Sequence, residues 1–166
     1  MDPAPRAFQA EPGGYDPRMA WHTIRYSAGN EHSPVDPWGR SELVIHADGS
    51  ARLDHHPSRG REPRAWAGHV DPAALVELLA ALGRAGFPAV PLMQAIPPDA
   101  VLRRLTVESG GVAQQALVSW GHTPSLPGYA EAFDLIDAVI RQLSEGTVKY
   151  PTKRGQIVHG AVAVDS

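Results

Sequence analysis

The chain contains no cysteine. A disulfide framework, a thiolate metal site and a thiol nucleophile are therefore all excluded. It also lacks a strong charge of either sign, with a formal net charge of −3 over 166 residues. Nucleic-acid binders usually carry a basic face, so no nucleic-acid partner is expected. Long apolar runs are missing as well. Glu77 interrupts the richest one, and no membrane partner is expected. The N-terminal string Met1-Asp2-Pro3-Ala4-Pro5-Arg6 has no charged-then-apolar leader pattern, which makes the cytoplasm the expected location. What remains, 43% apolar and 20% charged residues, is the balance of one globular domain with a core of its own.

Residues 1–18 hold four prolines and paired glycines and read as a flexible N-terminal arm. Residues 19–146 read as a single α+β domain, and residues 147–166 as a tail that adds a strand or none. Trp21 to Tyr26 has strand character, with Ile24 and Tyr26 on one face. Leu43 to His46 and Ala51 to Asp54 then flank Asp48-Gly49, a strong hairpin signal. A two-residue Asp-Gly loop would set Leu43 opposite Asp54 and Ile45 opposite Arg52. A three-residue loop, Ala47-Asp48-Gly49, sets Leu43 opposite Leu53 and Ile45 opposite Ala51, giving one apolar face. The second register is expected, since a slip of one residue would destroy that face. Arg64 to His69, carrying Trp66, adds a further strand.

Asp71-Pro72 has the residues of a helix start, with Asp71 as cap and Pro72 at the first helical position. Leu75, Leu78, Leu79 and Leu82 make one apolar stripe, ended by Gly86 and Pro88. The proline-rich segment 87–100 is expected to be irregular. A second hairpin, Val101 to Glu108 and Val112 to Trp120, turns at Gly110-Gly111. After the Pro124 and Pro127 loop, Tyr129, Phe133, Ile136, Ile140 and Leu143 mark a second amphipathic helix, ended by Gly146. The expected architecture is an antiparallel sheet of five or six strands with two helices packed on one face, in the order βββ-α-ββ-α.

Eight histidines raise a metal hypothesis, which their spacing does not support. Neither helix contains a histidine. His46 and His56 share a face of the first hairpin but sit at its opposite ends, and alternation sends His55 to the other face. No metal and no cofactor are expected. Ser119, in Val118-Ser119-Trp120-Gly121-His122, lacks the first glycine of a nucleophile elbow and leads into a proline loop rather than a helix. The glycine pairs at 13–14 and 110–111 do not join a strand to a helix N-terminus, as a phosphate-binding loop would. No catalytic residue is assigned.

The aromatic residues carry the only binding signal. Trp38 lies between Pro37 and Gly39, and Trp120, His122 and Tyr129 bracket the 120–129 loop. Tryptophan in loops is enriched at recognition surfaces, because it buries much area at small entropic cost. These four residues form the expected binding patch.

Ile24 and Tyr26, then the Leu43–Leu53 hairpin with its Asp48-Gly49 turn, Gly68, the Leu75–Leu82 helix ending at Gly86-Phe87, a second hairpin and a last helix form a recognisable succession. Over roughly residues 20–144 it resembles a group of small bacterial α+β domains without assigned chemistry. The resemblance implies the fold and no site residue. Two functions follow from the residues themselves. One is a non-enzymatic protein-interaction module, immunity-like or accessory, whose partner is another protein and which leaves room for a homodimer. The other is a small enzyme or ligand-binding protein using the Ser119/His122 loop. A deep pocket with convergent polar groups would favour the second, and a flat aromatic surface the first.

Overall fold

The computed structural model describes residues 21–29, 39–58, 60–91 and 101–165. Within them the chain is α+β, with one seven-stranded antiparallel sheet, two α-helices and a short 3-10 helix. The strands are β1 Thr23–Gly29, β2 Arg40–His46, β3 Ser50–His56, β4 Arg64–Val70, β5 Leu102–Ser109, β6 Val112–Ser119 and β7 Val158–Val164. The helices are α1 Pro72–Ala85 and α2 Tyr129–Leu143, with the 3-10 helix at Trp120–Ser125. The sheet order is β6-β5-β1-β2-β3-β4-β7. The first four strands make a meander. Then α1 carries the chain back to β5 beside β1, and α2 returns it to β7 beside β4.

This sheet has more strands than the five or six expected, and all four segments read as strands before α1 form, so the order βββ-α-ββ-α is one strand short there. The seventh strand comes from the tail. Gln142 on α2 holds it in place: its side-chain oxygen accepts the Ile157 and Val158 N–H groups at 2.7 and 3.0 Å, and its amide donates to the Gly155 carbonyl at 2.7 Å. Asp71 differs from expectation too. No side-chain bond caps α1; instead the carboxylate lies 2.6 Å from His159 Nε2 on β7. The cap residue thus fastens the added strand to the helix it precedes.

The first hairpin has the expected register, Leu43 opposite Leu53 and Ile45 opposite Ala51. Gly49 sits at φ +91°, the left-handed conformation that this three-residue loop demands of its last residue. The second hairpin closes through Gly110 and Gly111, both at positive φ, with Ser109 opposite Val112.

Alternation puts one set of side chains under the helices. Ile24, Tyr26, Leu43, Ile45, Leu53, Trp66, Leu105 and Val107 are all buried, and against them pack Leu75, Leu78 and Leu82 of α1 with Phe133, Ile136 and Ile140 of α2. At roughly 25 cal/mol per Å² of apolar surface removed from water, this single core is the main source of stability. The opposite sheet face carries charges paired across it, such as Arg25 with Glu108 and Arg52 with Asp54. No helix among the described residues is long and apolar enough to cross a membrane.

Candidate binding cleft

Trp38 lies outside the described residues. The other three residues of the expected aromatic patch go to different environments. Tyr129 is buried at 1% exposure; its ring stacks on Phe133 and its hydroxyl donates to the Ala89 carbonyl at 2.6 Å. Burial pushes its phenol up to about 12. Trp120 is half-buried, meeting Tyr150 edge to face at 5.2 Å between ring centroids. His122 is half-buried on the 3-10 helix, and its Nδ1 has no hydrogen-bond partner. Ser119 is buried, and no hydrogen bond joins it to His122 among the described residues. These side chains mainly close the core at one end of the sheet.

That end is built around one cross-strand row. Register places Val118, Arg103, Ala28, Ser41, His55 and Arg64 side by side across six strands, on the face that carries the helices. The next row inward, Ala116, Leu105, Tyr26, Leu43, Leu53 and Trp66, is apolar apart from the Tyr26 hydroxyl and the Trp66 indole N–H. Four polar side chains, Arg103, Ser41, His55 and Arg64, thus stand in the last layer before solvent, where the core ends.

Arg103 is the deepest of them. Its guanidinium makes a two-pronged contact with Asp137 of α2, at 2.9 and 3.2 Å, and donates to the Tyr26 hydroxyl at 3.1 Å. Its other faces are aromatic: the Trp120 ring centroid lies 3.5 Å from its central carbon and that of Phe133 4.9 Å. Trp120 is therefore a lid over a buried cation, which satisfies charge where no water reaches. Burial pushes Asp137 up to about 6, although the guanidinium opposes it. Burial also raises the Tyr26 phenol well above its ordinary value.

Further along the row, Ser41 Oγ lies 2.9 Å from His55 Nδ1 and 3.0 Å from the Tyr150 hydroxyl. A serine beside an imidazole is the beginning of a nucleophile–base pair. Here Ser41 has no exposed surface, and its hydroxyl is shared with Tyr150, so a substrate has no approach to it. The pair fixes the imidazole of His55 instead.

His55 forms one wall of an open cleft of about 330 Å³. Pro57, Arg61, Glu62 and Arg64 form another side, and Thr147, Val148 and Lys149 of the loop after α2 close the third. That loop is set by Ser144, whose hydroxyl donates to the Arg141 carbonyl and accepts the Val148 N–H at 3.0 Å. Val148 and Tyr150 point into the core, so Lys149 between them points out. Arg64 is exposed, with its guanidinium carbon 4.9 Å from the Trp66 ring centroid. Among the described residues, no carboxylate lies within ion-pairing distance of Arg61, Arg64 or Lys149. Guanidinium groups suit the two-pronged binding of carboxylates and phosphates, while an ammonium adds a point charge. No group of three or more histidine and carboxylate side chains among the described residues is placed to hold a metal ion.

Sequence reading missed Arg103 and Asp137, though a signal was present. Arg103, Leu105 and Val107 alternate on one face, and Asp137 falls within the apolar stripe of α2, so two opposite charges sit on two faces destined for one core. The cleft left a weaker trace, because Lys149 is remote in sequence from the run Arg61-Glu62-Pro63-Arg64. The chain matches no known protein family and no curated protein.

Proposed function

We propose that the protein is a non-enzymatic interaction module, immunity-like or accessory in kind, that works in the cytoplasm by taking an acidic segment of another protein into the basic cleft. The resemblance to small bacterial domains with an Asp-Gly hairpin belongs to the same proposal. One observation carries it: Arg61, Arg64 and Lys149 line a concave site together with a single carboxylate, Glu62, and among the described residues none of the three cations is ion-paired, on a chain whose net charge is −3. Three cations against one carboxylate leave the cleft with an excess of positive charge in an otherwise acidic chain, so it favours an anionic visitor. The size of the cleft supports a carboxylate side chain or two rather than a duplex, and the burial of the Ser41 hydroxyl supports binding without turnover.

The test uses a fluorescein-labelled hexaglutamate peptide as the probe in an anisotropy titration. Binding should weaken steeply with added salt. The double variant Arg61→Glu, Lys149→Glu should lose about tenfold in affinity or more, which is about 1.4 kcal/mol. Both side chains are exposed, so melting should stay where it is. Absence of peptide binding, or equal binding by the variant, would overturn the reading.

A further inference from the structure

The two edges of the sheet differ from its interior in a way that affects association. β6 reads Val-Ala-Gln-Gln-Ala-Leu-Val-Ser and β7 reads Val-His-Gly-Ala-Val-Ala-Val, neither with a Lys, Arg, Asp, Glu or Pro. Edge strands that stay single are usually blunted by such residues, by bulges or by a cover. β7 is blunted by other means. Its pairing with β4 shifts register between Ala67 and His69, Gly160 takes φ +65°, and His159 is tied to Asp71. Among the described residues β6 has none of these devices. It is eight residues long and pairs with β5 in unbroken register from Ser109–Val112 to Leu102–Ser119. Among the described residues no strand pairs with its other side.

Its open side can be read residue by residue. Trp120 N–H donates to the Val101 carbonyl, so even-numbered positions of this strand point their backbone groups toward β5. Ala113, Gln115 and Leu117 therefore aim theirs outward. Two side chains beside them are large and exposed, Val112 at 63% and Leu117 at 41%.

We propose that β6 is the interface with a second copy of this chain, pairing antiparallel with itself across a twofold axis at Gln115. In that register Gln115 faces its own counterpart, and Ala113 faces Leu117 twice, large against small. Val112 faces Val118, and Gln114 faces Ala116. Every outward backbone group meets an outward one, and each paired side chain meets one on the same face of the sheet. An antiparallel partner must satisfy both conditions, and a shift by one residue violates them. The glycine turn also fits, since Gly111 of one copy falls opposite Ser119 of the other, where the chain leaves the edge. Gln115 donates nothing to the existing ladder bonds of β5, and its side-chain oxygen is engaged by Thr106 at 3.3 Å. The contact is isologous and closes on itself, giving a fourteen-stranded sheet and no fibre through this edge. The cleft lies at the other side of the sheet, so this interface is independent of what the cleft binds.

Light scattering on the full chain over a dilution series from about 300 µM down to about 3 µM suits so small an interface. The weight-average mass should rise from 17.8 kDa toward twice that value as concentration increases. Gln115→Pro removes one outward N–H and the side-chain bond from Thr106 but no backbone ladder bond of the sheet, and should abolish the rise while circular dichroism stays unchanged. Leu117→Lys, on an exposed position, should do the same and decides the matter if the proline variant misfolds. Because the chain has no cysteine, Gln115→Cys should form a covalent dimer under a short bis-maleimide linker, and Val162→Cys on β7 should not. A wild type that stays at 17.8 kDa throughout, a mass rise that survives both variants, or preferential linking at position 162 would overturn the proposal.

Discussion

Replacing Arg103 by methionine tests how the polar end of the core is held together. The arginine is 5% exposed and serves three partners at once: Asp137 through two bonds, the Tyr26 hydroxyl through one, and the Trp120 ring by stacking. Methionine keeps the aliphatic stem and removes the charge. The Asp137 carboxylate, also 5% exposed, is then left without its counter-ion. Removing one partner of a buried pair typically costs roughly 3–5 kcal/mol. A single domain has about 5–15 kcal/mol in total, so the variant should still fold but unfold at clearly lower urea. Removing both charges should behave otherwise. Arg103→Met with Asp137→Leu leaves no uncompensated charge and refills the volume with apolar atoms, and should lie within about 1 kcal/mol of wild type. The four proteins of the cycle, unfolded in urea and followed by tryptophan fluorescence, should give a coupling energy above about 2 kcal/mol. A cost for Arg103→Met below about 1 kcal/mol, or additive effects in the double variant, would refute the reasoning.

Two further predictions concern pH and packing. With Asp137 pushed up to about 6 by burial, the folded chain holds that proton more tightly than the unfolded one, in which a carboxyl titrates near about 4. The resulting stability is complete below about pH 4 and is lost as pH rises through about 6. Asp137→Asn has no such titration, so the stability of wild type relative to this variant should fall by about 2 kcal/mol between about pH 4.5 and pH 7; a difference that grows with pH would mean that the guanidinium outweighs burial. Leu53→Asp, at a position with no exposed surface, should cost about 3 kcal/mol or more. Val44→Asp lies on the outer face between Arg25 and Arg52 and should cost under about 1 kcal/mol in the same denaturant series.

Parts of this molecule were legible in the sequence because an error there would have been visible. The Leu43–Leu53 register could be chosen because the rival register puts Asp54 and Arg52 opposite apolar residues. The leucine stripe of α1 and the Phe133–Ile140 stripe of α2 have one period that fits. Asp71 was misread because its carboxylate answers to His159, far along the chain, and not to the helix it precedes. The role of Trp120 was not legible for a related reason: composition does not tell whether a tryptophan covers a partner or a buried arginine, and here Trp120 covers Arg103. The cleft needed two facts that alternation alone does not supply. One is that the His55 end of β3 lies at the margin of the helix layer. The other is that the loop after α2 brings Lys149 there.

The basic cleft is the centre of the functional account, and chemical-shift mapping tests it most directly. The full chain, labelled with nitrogen-15, would be titrated with unlabelled hexaglutamate and, separately, with hexalysine. The account predicts saturable shifts at His55, Arg61, Arg64, Thr147 and Lys149 with hexaglutamate, reversed by salt, and none with hexalysine. Shifts gathered instead on the 3-10 helix around Trp120 and His122, or no saturable shifts with hexaglutamate, would contradict it.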